Sequence, residues 1–366
     1  MYKLSVQEFL NLISEGLKNP IIESDIFSNK IKLSHLKRID KIFEKGLHYY
    51  LDPLAPEESK EASVFFRKDK FETDLNIRAK RVVSQYEELK LSLSAIAKLS
   101  DLKIDRKFLK FSFKDDPKKI AFQIRDTLYP KFNTIRRDFL KALISKFAEY
   151  NILVFEFIES SQRKEKANID GFYLKPNVIV LKRHQAFRRE IFTLAHELGH
   201  FLLEEEEIEQ LEYHSIANKH LTSIERWCND FAYYFLIGNY EKIIEQLPIA
   251  SPENDYHFEI IEDISNNTHL SQIALFTRLL YQNKISKINY NKVKTDFDER
   301  YRALLLEKEI EKLKEEGRRT TFSTAKPIPS PLFISTIQTA FYEGIINEYE
   351  VCQRLNIKPD KLENYI

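Results

Sequence analysis

Glycine is scarce in this chain: seven residues in 366, at positions 16, 46, 171, 199, 238, 317 and 344. No G-x-G-x-x-G and no G-x-x-x-x-G-K-[ST] can be drawn through those positions, which argues against dinucleotide and P-loop nucleotide binding. A G-x-S-x-G nucleophile elbow is missing too. Cysteine is rarer still, with Cys228 and Cys352 far apart, so there is no disulfide framework, and neither residue lies in a protease nucleophile signature. That usage suits a reducing compartment and leads us to expect a cytoplasmic protein. Charge of one sign is lacking as well: 57 Lys+Arg face 56 Asp+Glu, and the balance itself calls for neither nucleic acid nor an acidic membrane. No apolar run is long enough to span a bilayer, and Lys3, Glu8 and Glu15 interrupt the place where a signal peptide would need its apolar stretch. At this length the chain can bury a sizeable core and is expected to hold two or three domains.

What is present is concentrated in one segment. His196-Glu197-Leu198-Gly199-His200 places two imidazoles at i and i+4, one turn apart on a single helix face, where both can reach one metal ion while Glu197 points beside it. Around it Phe187, Ile191, Leu194, Ala195, Leu198, Phe201 and Leu202 recur at helical spacing, which predicts a well-buried helix. The alternative, histidines serving as surface polarity, fits burial poorly, because two imidazoles and a carboxylate are costly to desolvate unless paired or ligating a metal.

Catalytic zinc generally takes three protein ligands and leaves a fourth position for water. Glu225 is the candidate for the third. It opens Glu225-Arg226-Trp227-Cys228-Asn229-Asp230-Phe231-Ala232-Tyr233-Tyr234-Phe235, a second helical pattern that can pack on the first. On spacing alone an ordinary solvated acid is an equal reading. Asn229, one turn further along the same face, is placed to hold an imidazole N–H from behind. Cys228 between them is either a small buried hydrophobe or a redox-sensitive thiol near the metal.

Asp170-Gly171-Phe172-Tyr173, the strand-like Val178-Ile179-Val180-Leu181, Arg188 to Phe201 and Glu225-x-x-Cys228-Asn229-x-Phe231-Ala232 together resemble the ImmA/IrrE family of metallo-endopeptidases. Ala121 to Leu128, followed by Ile135 to Phe157 with the strand Asn151-Ile152-Leu153-Val154-Phe155, is similar to that family's helical lead-in and first strand. The resemblance implies zinc held by His196, His200 and Glu225, with Glu197 as catalytic base. It also implies an α+β, mostly helical fold: a zincin-like peptidase core with a small sheet, flanked by helical regions. Cys228 stands where the family has Ala, and Leu236-Ile237-Gly238 replaces a common Leu-Met-Pro. Neither departure removes a ligand.

Three regions are expected. Residues 1–72 form a helical region, a degenerate XRE-type helix-turn-helix by resemblance, ending in a linker at 52–72 with Pro53, Pro56 and Phe65-Phe66-Arg67-Lys68. Residues 73–295 form the peptidase core with a helical lead-in, its helices at about 74–100 and 117–149 and its strands at 151–158 and around 170–182, turning at Lys175-Pro176-Asn177. Residues 296–366 form a charged helix and a small helical tail, with Pro327, Pro329 and Pro331 at the boundary. In the first region Leu33 to Phe43 is the clearest amphipathic run; its Lys and Arg residues can either touch phosphate or form a solvated face. The tail's Phe333, Ile337, Phe341, Ile345 and Leu355 suit docking on the core or binding a partner.

The chemistry expected is peptide hydrolysis. Zinc polarises the scissile carbonyl and its water, while Glu197 takes the water's proton and later passes it to the amine. The strand Val178–Leu181 is expected to be an exposed edge that seats the substrate backbone. Tyr173, Tyr213, His214, His220 and Tyr233 are all able to stabilise an oxyanion. The family resemblance implies a helix-turn-helix repressor of XRE type as substrate, in a stress or mobile-element response. A non-catalytic DNA- or protein-binding regulator and a toxin or antiphage protease are the competing readings.

Overall fold

A computed structural model of the chain describes residues 4–28, 30–43, 45–52, 75–159, 166–183, 186–207, 222–315 and 326–366. The chain divides into two compact units, Met1–Glu87 and Glu88–Ile366. The expected linker, from Pro53 on, lies outside the described residues, as do Tyr213, His214 and His220.

In the first unit, α1 (Val6–Ser14) begins at a reciprocal cap: the Ser5 hydroxyl accepts from the Glu8 amide, and the Glu8 carboxylate accepts from the Ser5 amide at 2.8 Å. It is followed by α2 (Glu23–Ile26), α3 (Leu33–Phe43) and α4 (Leu47–Leu51). Leu10, Ile13, Ile21 and Ile39 form their small core. The basic face of α3 is partly spent on this packing. Arg38 donates to the carbonyls of Ile13 (2.9 Å) and Glu15 (3.2 Å), so it satisfies the end of α1.

The second unit is built round a three-stranded sheet. Its helical lead-in comprises α5 (Ile77–Leu99), which starts in the first unit, then α6 (Pro117–Leu128) and α7 (Arg136–Glu149). The single helix expected over 117–149 is therefore two. Pro130 lacks an amide donor and disfavours helix at the residue before it, so the chain leaves α6 at Tyr129 and restarts after Ile135. Asn151, at φ +60°, turns the chain into β1 (Leu153–Phe157).

β2 (Gly171–Leu174) and β3 (Val178–Lys182) form the expected hairpin. β1 then pairs with β3 in parallel, Leu153 opposite Val178 and Phe155 opposite Val180. The strand order is β1-β3-β2. This corrects one expectation: the Val178–Leu181 strand is the centre of the sheet and bonded on both sides, so it is not an exposed edge. The hairpin partner β2 holds the edge on that side among the described residues. Every residue of β1 and β2 is buried, as expected of a small sheet covered on both faces.

Helix α8 (Phe187–Leu203) packs on β2 and β3, and α9 (Ser223–Ile237) packs on both α8 and α6. Beyond them come α10 (Glu241–Gln246), α11 (Phe258–Thr268), α12 (Gln272–Tyr281), capped by the Ser271 hydroxyl, and the long α13 (Lys287–Glu315). The tail, α14 (Pro331–Tyr342) and α15 (Glu348–Leu355), docks on the same unit. Ile328 joins the main core, Phe333 meets the Phe155 ring edge-on at 5.3 Å, and α14 lies on α7. No described helix is long and apolar enough to cross a membrane.

Candidate metal centre

Helix α8 is buried on every side from Glu190 to Leu203, apart from the partly exposed Phe192. Its apolar residues face the sheet, α7 and α9, and this leaves its polar residues no solvent to point into. Its last turn is tied down rather than frayed. Arg106 donates to the carbonyls of Phe201 (2.7 Å) and Leu202 (3.2 Å) while its guanidinium lies 4.1 Å over the Phe201 ring, and Phe111 donates its amide to Leu202. Glu204 closes the helix in the left-handed conformation. His200 thus sits in an ordered final turn.

Helix α9 delivers Glu225 from its own first turn. The Thr222 hydroxyl is the N-cap: it accepts from the Glu225 amide at 3.1 Å and donates to Glu207 at 3.0 Å. In a Thr-x-x-Glu cap the carboxylate commonly folds back on the cap residue's amide. Here it turns instead to the histidines. Its place in the first turn also sets the negative charge against the positive end of the helix dipole.

Three donor atoms converge. His196 Nε2 lies 3.1 Å from Glu225 Oε2, His200 Nε2 lies 3.0 Å from Glu225 Oε1, and the two Nε2 atoms are 3.1 Å apart. All three residues are at most 2% exposed. Behind His196, Nδ1 stands 3.0 Å from Asn229 Oδ1; with Nδ1–H donating there, the Nε2 lone pair faces the cluster. His200 Nδ1 has no such partner among the described residues. Burial pushes the Glu225 carboxyl up, but His200 and His196 outweigh it and hold the group well below the usual carboxylate range. His200 is displaced upward in turn: burial lowers it, and Glu225 overcomes that.

A proton shared within this triangle can serve only one pair of its corners. A cation at its centre serves all three. Donors held at 2.0–2.2 Å around a tetrahedral ion stand about 3.3–3.6 Å apart, a few tenths of an ångström wider than the spacing seen, and nitrogen plus carboxylate oxygen is a donor set that such ions accept. The residues fit a divalent metal ion, and among the described residues this is the one cluster of such donors.

Glu197 lies beside the triangle, 3% exposed, with its Oε2 unpartnered. Burial pushes its carboxyl up to about 8, with Glu225 and Asp170 adding to the rise and His200 opposing it. Gly171, at the start of β2, makes the room it occupies: a Cβ there would lie 2.6 Å from Thr193 Cγ2 and 3.3 Å from Glu197 Oε1. Of the five oxyanion candidates the two described ones are turned away. Tyr173 donates to the Pro176 carbonyl at 2.8 Å and Tyr233 to Glu241 at 2.5 Å, and both are buried. Cys228 is fully buried against Gly199, and burial raises its thiol well above the ordinary range. It fills the space opposite the glycine, which is a packing role.

Residues 149–252, from the end of α7 through the sheet, α8, α9 and α10, match the family model for the IrrE N-terminal-like domain, Peptidase_M78. Over this segment the chain is similar to the ImmA/IrrE metallopeptidases. All four of His196, Glu197, His200 and Glu225 fall inside the matched segment of the ImmA/IrrE-type domain. No curated protein matches the chain. The sequence reading of this peptidase domain missed Thr222, although Thr222-Ser223-Ile224-Glu225 carries a capping signature. It also missed the packing of Gly171 and Gly199, for which a sequence offers no signal beyond glycine inside a strand or helix pattern.

Proposed function

We propose that the chain is a zinc-dependent endopeptidase acting on a protein substrate. The observation that carries this is the buried triangle of His196, His200 and Glu225 with Glu197, one of whose carboxylate oxygens is unpartnered, beside it. A structural zinc site would close its coordination with a fourth protein ligand, whereas three ligands and an adjacent base suit a site that keeps a position for water. When bound, the ion would supply polarisation of the scissile carbonyl and acidification of a water molecule.

The chain's own residues do the rest. Glu197 would accept the proton of the attacking water and return it to the departing amine, a transfer that its place beside the donor triangle allows. Asn229 fixes which nitrogen of His196 carries its proton. Gly171 brings the β2 backbone close to Glu197, so a peptide added to this sheet would pair with β2. A repressor of the XRE helix-turn-helix type, cleaved in the cytoplasm during a stress or mobile-element response, is the substrate we favour; the family resemblance supports it.

Glu197→Gln tests the function. The variant should keep its zinc, measured by elemental analysis, and lose cleavage of a neighbouring-gene repressor by about 10²–10⁴-fold. A variant that keeps its metal and all of its biological activity would overturn the peptidase reading in favour of a regulator that acts by binding.

A further inference from the structure

Helices α8 and α9 approach closely at Gly199, where α8 has no side chain. A Cβ built on Gly199 would lie 3.1 Å from Cys228 Sγ and 3.2 Å from both Cys228 Cα and Cβ. Gly199 is neither at a turn nor in a left-handed conformation; it sits mid-helix, where glycine costs about 1 kcal/mol relative to alanine. The local helix gains nothing from it. What glycine permits is the approach of the second helix, and the contact falls at a sensitive place. Gly199 precedes His200 by one residue, and Cys228 lies between Glu225 and Asn229, which are respectively a corner of the donor triangle and the acceptor behind His196.

We propose that the Gly199–Cys228 contact is a positioning device that sets the spacing of the two helices and so brings Glu225 within reach of the metal held by His196 and His200. The inference rests on the metal-site reading above. The magnitudes decide that the effect should be visible. Carbon atoms in ordinary contact stand about 3.5–4.0 Å apart, so an added methyl at 3.1–3.2 Å from Cys228 Sγ, Cα and Cβ requires the facing helix to give by a few tenths of an ångström. Functional constellations tolerate about that much displacement before they fail. Glu225 is the only one of the three donors on α9, so separation of the helices removes one corner and leaves the other two together. Cys228 sits on the far side of this contact: its sulfur does not belong to the donor cluster, and its role is to fill the space opposite the glycine.

The test is a graded series in the full-length chain: wild type, Gly199→Ala, Gly199→Ala with Cys228→Ala, and Gly199→Ala with Cys228→Gly. Each is titrated with Zn2+ and, separately, with Co2+, whose visible absorption reports coordination, and each is melted thermally. Gly199→Ala should weaken metal binding by about 10–100-fold, the range seen when groups supporting a ligand are lost. The two double variants should recover it stepwise, the second more than the first, since glycine at 228 removes both the sulfur and the β-carbon. If Gly199→Ala is too unstable to titrate, recovery of folding and metal binding together in the second double variant supports the contact, and failure to recover overturns it. Wild-type affinity in Gly199→Ala overturns the inference and leaves the peptidase reading intact. A wild type that takes up neither ion removes both.

Discussion

Near its start helix α8 buries Glu190 against Glu156 of β1 and Arg183, and two turns later the same helix buries His196, Glu197 and His200 against Glu225 of α9. The carboxylates at both ends are lost to solvent to the same degree, Glu190 at 0% exposed and Glu225 at 2%. Burial alone pushes both upward. Their partners send them apart. At the first end the partners are another carboxyl, Glu156, and Arg183, which approaches Glu190 at 2.6 Å; burial and Glu156 together push Glu190 up to about 9. At the second end two imidazoles face the carboxylate and hold it ionised. One end of the helix is thus built to keep a proton and the other to accept a cation, from the same residue type at the same depth. A buried glutamate by itself says little about function; the company it keeps decides.

The largest effect should come from removing the charge at the cation end. Glu225→Ala leaves two histidines and no anion, and should lose zinc well beyond the roughly 100-fold that loss of a supporting group costs, with cleavage lost alongside it. Retention of stoichiometric zinc after dialysis would show that Glu225 is not a ligand. Asn229→Ala is the next smaller step: His196 loses the acceptor that fixes its tautomer, for an expected loss of about 10–100-fold in metal affinity. Affinity equal to wild type would reduce Asn229 to packing.

The two ends were not equally legible. The helix bearing the motif is written in a strong 3.6-residue period, and α3 follows the run Leu33–Phe43 for the same reason. Glu225 lies 25 residues beyond His200, and spacing alone left it an even choice with a solvated acid; the family pattern raised it, and the geometry brings it to the histidines. β3 was misplaced at an edge because its second partner, β1, pairs with it in parallel from 25 residues upstream, which no local pattern announces. Tyr173 and Tyr233 are plausible donors by chemistry, but where a hydroxyl points depends on tertiary contacts such as Pro176 and Glu241. The proton-holding end was invisible for a similar reason: Glu156 and Glu190 are 34 positions apart, and each reads as an ordinary acid.

That end supplies the smallest and most discriminating test. Glu190 has an ordinary carboxylate value in the unfolded chain and about 9 when folded. Its contribution to stability is therefore complete below about pH 4.5 and is lost as pH rises toward 9, because across that window the folded chain holds a proton that the unfolded chain has released. The slope is at most about 1.4 kcal/mol per pH unit. Glu190→Gln keeps the shape and removes the proton, so thermal melts from pH 5 to 9 should show the variant gaining on wild type steadily as pH rises. Zinc content should stay unchanged, since Glu190 stands outside the donor cluster. A difference between the two proteins that is flat with pH would mean that Arg183 already neutralises Glu190, and that the two ends of α8 treat their carboxylates alike.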